Sequence, residues 1–109
     1  MRVAAIDCGT NSIRLLIAEL TEDGLRDVVR EMLVVRLGEG VDRTGALSPA
    51  AIERTRSALA GFVHLIHAYG AERTRMVATS ASRDASNAEV FAAMVVEGLG
   101  PRAEAITGD

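Results

Sequence analysis

Residues 3–37 read as three strands in succession, joined by two turns, and helical spacing begins only after them. No other feature of the chain limits its folds so sharply. Residues 3–6 are a short apolar run ending at Asp7, the pattern of a buried strand. Asp7-Cys8-Gly9-Thr10-Asn11-Ser12 is turn chemistry, because glycine permits unusual backbone angles and Asp, Asn and Ser bond their own backbone. Residues 13–20 read as a second strand, with Thr21-Glu22-Asp23-Gly24 as its hairpin turn. Residues 25–37 read as a third, longer strand. Val29, Leu33, Val35 and Leu37 give it most of an apolar face, which Asp27 and Glu31 interrupt. Three strands on short connections make an antiparallel meander.

The period changes at Gly38. Residues 38–45 form a loop with three glycines, and Ser48-Pro49 is a helix-start signal. Serine can cap the first amides, and proline at the first helical position lacks a donor that would be unpaired anyway. Ile52, Leu59, Val63 and Ile66 recur at helical spacing with Phe62 beside them, and Gly70 stands where a terminating glycine is expected. Residues 75–79 read as a fourth strand centred on Met76, Val77 and Ala78. A polar loop over residues 80–86 precedes a second helix over residues 87–98, where Ser86 and Glu89 have capping-box spacing. Residues 102–107 read as a fifth strand. The order β-β-β-α-β-α-β, a meander followed by two right-handed crossovers, predicts a mixed α/β sheet with strand order 3-2-1-4-5. That is the ribonuclease H-like core of actin, sugar kinases and related phosphatases. No helix follows the fifth strand, so the expectation is a fold truncated after it and a longer parent protein.

Composition narrows the function classes. The 109 residues carry a net charge of −3, and aromatic residues make up 3%. The mild acidity argues against a general nucleic-acid or membrane-surface binder. So few aromatics give no row of stacking platforms for single-stranded bases. The longest apolar run, residues 90–96, is too short to span a bilayer. Residues 1–7 run directly into a strand pattern, with no signal peptide in view. One cysteine excludes an internal disulfide framework and fits a reducing cytosol. All the basic side chains are arginine.

Two polar loops lie at strand ends. If strands one and four are parallel neighbours, both loops open at one end of the sheet, where such folds bind ligands. Asp7, Gly9, Thr10, Asn11 and Ser12 would then face Thr79, Ser80, Arg83 and Asp84 across one crevice. Backbone amides beside a glycine, short hydroxyl and amide donors, an arginine, and carboxylates able to hold a divalent ion are equipment for phosphate. Taken alone, the first loop reads as an ordinary hairpin turn, and the second as helix capping with a surface ion pair of little worth. Their pairing is what points to a site. His64 and His67 have no Cys, Asp or Glu at ligand spacing and read as solvated. Cys8 reads as a small buried filler. Arg54 and Arg56 read as a solvated helix face.

Two segments also carry a family resemblance. MRVAAIDCGTNSIRLLIA over residues 1–18 resembles the opening of the exopolyphosphatase and guanosine-pentaphosphate phosphatase (Ppx/GppA) family. VATSASRDASN over residues 77–87 resembles that family's next block. Arg36-Leu37-Gly38-Glu39-Gly40 with Thr44-Gly45 is similar to its strand-three exit, and Ile106-Thr107-Gly108 to its approach to the catalytic segment. The resemblance covers essentially the whole chain, in order.

The resemblance implies that residues 1–109 are the amino-terminal part of the first ribonuclease H-like domain of a longer, two-domain, bacterial cytoplasmic phosphatase, a homodimer at full length. Its implied activity is release of terminal phosphate from inorganic polyphosphate, guanosine pentaphosphate or both, with Mg²⁺. Gly9, Thr10, Asn11 and Ser12 match the family's first phosphate loop. Asp7 matches its strand-end aspartate, which would position a metal or water. Arg14 falls where relatives contact a nucleotide or phosphate chain. Ser80 and Arg83 belong to the second block, where Arg83 supplies a cation to the cleft. The general-base glutamate would fall immediately beyond Asp109, so the resemblance implies that these residues alone are inactive. Two other readings stay open. One is a carbohydrate kinase of the same superfamily, since Asp-x-Gly-Thr also opens that phosphate loop. The other is a non-catalytic actin-like binding module.

Overall fold

A computed structural model of the chain describes residues 1–78 and 85–100, and residues 103–107 as backbone only. Strands β1 (Arg2–Cys8), β2 (Ser12–Thr21) and β3 (Gly24–Val34) form the antiparallel meander. A short helix, α1 (Val41–Thr44), and a long one, α2 (Pro49–Ala68), lead to β4 (Arg73–Ala78). Helix α3 (Ala88–Leu99) and strand β5 (Ala103–Thr107) complete the order. The sheet runs β3-β2-β1-β4-β5, with β4 parallel to β1 and β5 parallel to β4. This is the topology expected from the sequence.

Alternation along the strands decides which face is covered. Ala4, Ile6 and Cys8 of β1 and Ile13, Leu15 and Ile17 of β2 all point to one side, where they are buried. They meet Ala51, Leu59 and Phe62 of α2 and Phe91 and Val95 of α3 in a single core. Burying each Leu or Ile here stabilises the fold by about 1.5–3 kcal/mol. Both long helices pack against each other on that side. The intervening residues Ala5, Asp7 and Arg14 lie on the opposite face, exposed among the described residues.

Helix α2 starts as its sequence says: Ser48 Oγ accepts the Ala51 N–H at 3.0 Å, with Pro49 next in line. It stops at Tyr69, and Gly70 follows at φ 67°, the left-handed turn that glycine adopts without strain.

Four expectations are corrected. Strand β3 ends at Val34 rather than at residue 37, because the Val35 and Arg36 amides turn away to bond Asn11 and Arg36 adopts φ 51°. Residues 38–45 are not all loop, since α1 forms between left-handed Gly40 and Gly45. Strand β4 begins at Arg73, two residues early, where Val3 of β1 extends the parallel pairing. The Ser86–Glu89 capping box does not form: Asn87 is the N-cap residue of α3, and its side chain bonds elsewhere.

Candidate functional site

The parallel pairing of β1 and β4 sets Cys8 against Ala78, so the two strands finish together at one end of the sheet. The β1–β2 hairpin leaves from this end. Gly9 N–H donates to Ser12 O at 2.8 Å, which closes the turn. A Cβ on Gly9 would stand 3.2 Å from that same oxygen, tight for any larger residue.

The loop is held from behind. Thr10 O accepts the Gly38 N–H at 2.8 Å, and Asn11 O accepts both the Val35 and Arg36 N–H groups at 2.9 Å. With these carbonyls bonded inward, the Thr10 and Asn11 amides donate to no protein acceptor among the described residues. The side chains of Thr10, Asn11 and Ser12 likewise make no hydrogen bond among the described residues. Thr10 and Asn11 are exposed. Backbone amides without a protein acceptor, beside short polar side chains, are donors that an anion can use.

Asp7 and Arg14 are register partners on the uncovered face. They line a shallow depression there with Ala5, Leu16, Arg75 and Val77. Neither Asp7 nor Arg14 forms an ion pair among the described residues. Arg14 therefore stands on the sheet face beside the hairpin, not within it. Ser80 and Arg83, with Thr79 and Asp84, lie outside the described residues.

Cys8 is fully buried directly before the loop. Burial, with the charge of neighbouring Asp7, pushes its thiol up from the ordinary 9.0 to about 12. A thiol held protonated is a poor nucleophile, which agrees with the filler reading. His64 and His67 are both exposed.

Sequence reasoning missed the residues behind the loop. Arg54 is not a solvated helix residue: its Nε donates to Val35 O at 2.8 Å, and a terminal nitrogen donates to Arg36 O at 3.3 Å. It also meets Glu39 Oε1 at 3.5 Å. Arg56, by contrast, pairs with Glu53 one turn away on the surface, as expected of a solvated face. Gly38 packs so closely on Thr10 that an added Cβ would overlap the threonine Cγ2. The one available signal was glycine density in residues 38–45.

Among the described residues no helix is long and apolar enough to cross a membrane. No group of three or more metal-ligating side chains occurs among them either.

A family model described as the Ppx/GppA phosphatase family matches residues 16–109. Exopolyphosphatase 2 of Mycobacterium tuberculosis is 56% identical over 116 aligned positions, covering 98% of this chain and 36% of that protein. A guanosine-5'-triphosphate,3'-diphosphate pyrophosphatase of Pseudoalteromonas translucida is 37% identical, covering 97% of this chain and 21% of its own length. The crystal structure of the Aquifex aeolicus Ppx/GppA family member superimposes with a TM-score of 0.89 at 39% identity, over 98% of this chain and 35% of that one. The chain thus spans about a third or less of these relatives.

Proposed function

The chain belongs to the Ppx/GppA phosphatase family, and from that membership we propose that it forms the first phosphate-binding part of a phosphoanhydride hydrolase. The substrate class is inorganic polyphosphate or guanosine pentaphosphate. The carrying observation is the hairpin after β1, whose Thr10 and Asn11 carbonyls are bonded inward while their amides have no protein acceptor among the described residues.

In this reading Gly9, Thr10, Asn11 and Ser12 bind a terminal phosphate through amides and short polar side chains. Phosphoryl transfer leaves the protein little covalent work, so positioning and stabilisation of charge on the equatorial oxygens dominate. Arg83, with Ser80, supplies that charge from the segment after β4. Arg14 holds a later phosphate of the chain on the uncovered face. Water must be aligned and deprotonated, which needs a general base. We assign that role to a glutamate beyond Asp109, so residues 1–109 alone release no phosphate.

Family phosphatases generally work with a divalent metal. Mg²⁺ is commonly held by one or two carboxylates together with substrate phosphates, rather than by an all-protein cage. Asp7, an exposed carboxylate at the end of β1 without an ion pair among the described residues, fits one such ligand position. The ion would neutralise phosphate charge there. The reducing cytosol is the compartment this reading requires, and a homodimer its full-length state.

The test uses a protein of the relatives' full length that contains this chain. Phosphate release is measured with Mg²⁺ and long-chain polyphosphate, against ATP plus glycerol. Release from polyphosphate that collapses with Arg83→Ala supports the reading. ATP consumption only in the presence of glycerol replaces it with a kinase. Silence in both assays leaves a binding module.

A further inference from the structure

We propose that Asn87 is a positioning residue for the phosphate loop over residues 9–12, acting through Leu47 without touching phosphate. The proposal rests on the phosphate-binding reading of that loop. Asn87 occupies the N-cap of α3, where an asparagine side chain ordinarily accepts an amide of the first turn. Here it makes no such bond. Its Oδ1 instead accepts the Leu47 N–H at 2.9 Å, and its Nδ2 donates to Leu47 O at 2.8 Å. The carboxamide thus pairs with a buried residue forty positions away as a neighbouring strand would.

Two residues before Leu47 in the chain, Gly45 begins a run of backbone hydrogen bonds that leads to the loop. Ser86 N–H donates to Gly45 O at 2.8 Å, and Gly45 N–H donates to Val41 O at 2.6 Å. Val41 N–H donates to Gly38 O at 3.1 Å, and Gly38 N–H to Thr10 O at 2.8 Å. The middle of the path is α1, four residues between two left-handed glycines. A helix that short does not hold its shape unaided. Past its far end the Ser86 N–H holds Gly45 while the neighbouring Asn87 holds Leu47, and before its near end Gly38 presents the amide bonded to Thr10 O. Asn87 also closes the second motif in the sequence, four residues after Arg83.

The experiment uses the 109-residue chain, inorganic tripolyphosphate as probe, and amide hydrogen exchange followed by NMR. Asn87→Ser keeps a good N-cap residue and adds no charge, yet is too short to reach both Leu47 groups. Val95→Ala loosens the buried face of α3 without touching the path. The expected result is affinity about tenfold weaker in Asn87→Ser, with faster exchange at Val35, Arg36 and Gly38, and unchanged affinity in Val95→Ala. Wild-type binding that Asn87→Ser leaves intact overturns the positioning role and leaves the phosphate reading standing. Absence of binding by the wild-type chain overturns the phosphate reading and the positioning role with it. The unsubstituted chain gives an independent check. A common opening free energy for the Gly38, Gly45 and Leu47 amides supports the path, and unrelated values break it.

Discussion

The meander has two hairpin turns, and they are built on opposite plans. The β2–β3 turn is self-contained: Thr21 Oγ1 donates to Gly24 O at 2.9 Å, and nothing lies within 4 Å of where a Gly24 Cβ would be. The β1–β2 turn closes on itself only through the Gly9–Ser12 bond, while three amides from residues 35–38 fix its carbonyls. A turn that merely reverses the chain can be left to local chemistry. One that must present donors to a ligand needs its acceptors occupied by other parts of the fold, because an unsupported loop would use its own donors to satisfy them.

Gly38→Ala should break this contrast most strongly. The new methyl overlaps Thr10 Cγ2, a stiff β-branched group against the loop backbone. Overpacking of this kind costs about 1–3 kcal/mol. The companion variant sharpens the attribution. Thr10→Ser removes the methyl and keeps the hydroxyl, so the double variant should recover most of the loss in urea unfolding. Strict additivity of the two would place the strain elsewhere.

Next in size is Arg54→Met, which keeps the aliphatic stem and removes the bonds to the Val35 and Arg36 carbonyls. A loss of about 1–2 kcal/mol is expected, with faster exchange at the amides that hold Asn11. The matching change Arg56→Met removes only an exposed pair with Glu53 and should fall within about 0.5 kcal/mol of the native chain. Equal effects of the two would show that the half-buried Arg54 contributes no more than a surface ion pair.

These residues also mark where sequence reading stops. The sheet order was legible because each strand announces itself by its own period and because short connections restrict topology. The hairpin over residues 9–12 was legible through its turn chemistry. What stabilises it was not, since Val35, Arg36 and Gly38 act through backbone amides, which leave no side-chain pattern. Arg54 and Arg56 are two residues apart on one helix and alike in composition, yet one reaches two carbonyls and the other a neighbouring glutamate. Only the position of the strand-three exit separates them. The role of Asn87 went unread for the same reason: capping preferences are local, and its partner is forty residues away.

The third contrast concerns pH. Only the first turn has a buried titratable group beside it, Cys8. Its proton is retained in the folded chain up to about pH 12, whereas an unfolded thiol ionises near 9.0. A raised folded pKa means the associated stability is complete below pH 9 and declines as pH rises toward 12. Stability measured by urea unfolding should therefore fall more steeply above pH 9 in the native chain than in Cys8→Ala. Parallel slopes would mean that the thiol is solvated.

The smallest effect belongs to the self-contained turn. Thr21→Ala deletes an exposed side-chain bond to Gly24 O, and water replaces the lost donor at once. The expected change is within about 0.5 kcal/mol. Tripolyphosphate affinity and the exchange of the Val35, Arg36 and Gly38 amides should not move, because β2 separates this turn from the site by its whole length. A measurable loss of affinity in Thr21→Ala would mean that register errors at one end of the meander reach the other. The bulge between Ile17 and Ala18 is the point in β2 best placed to absorb them, since pairing with β3 already shifts there.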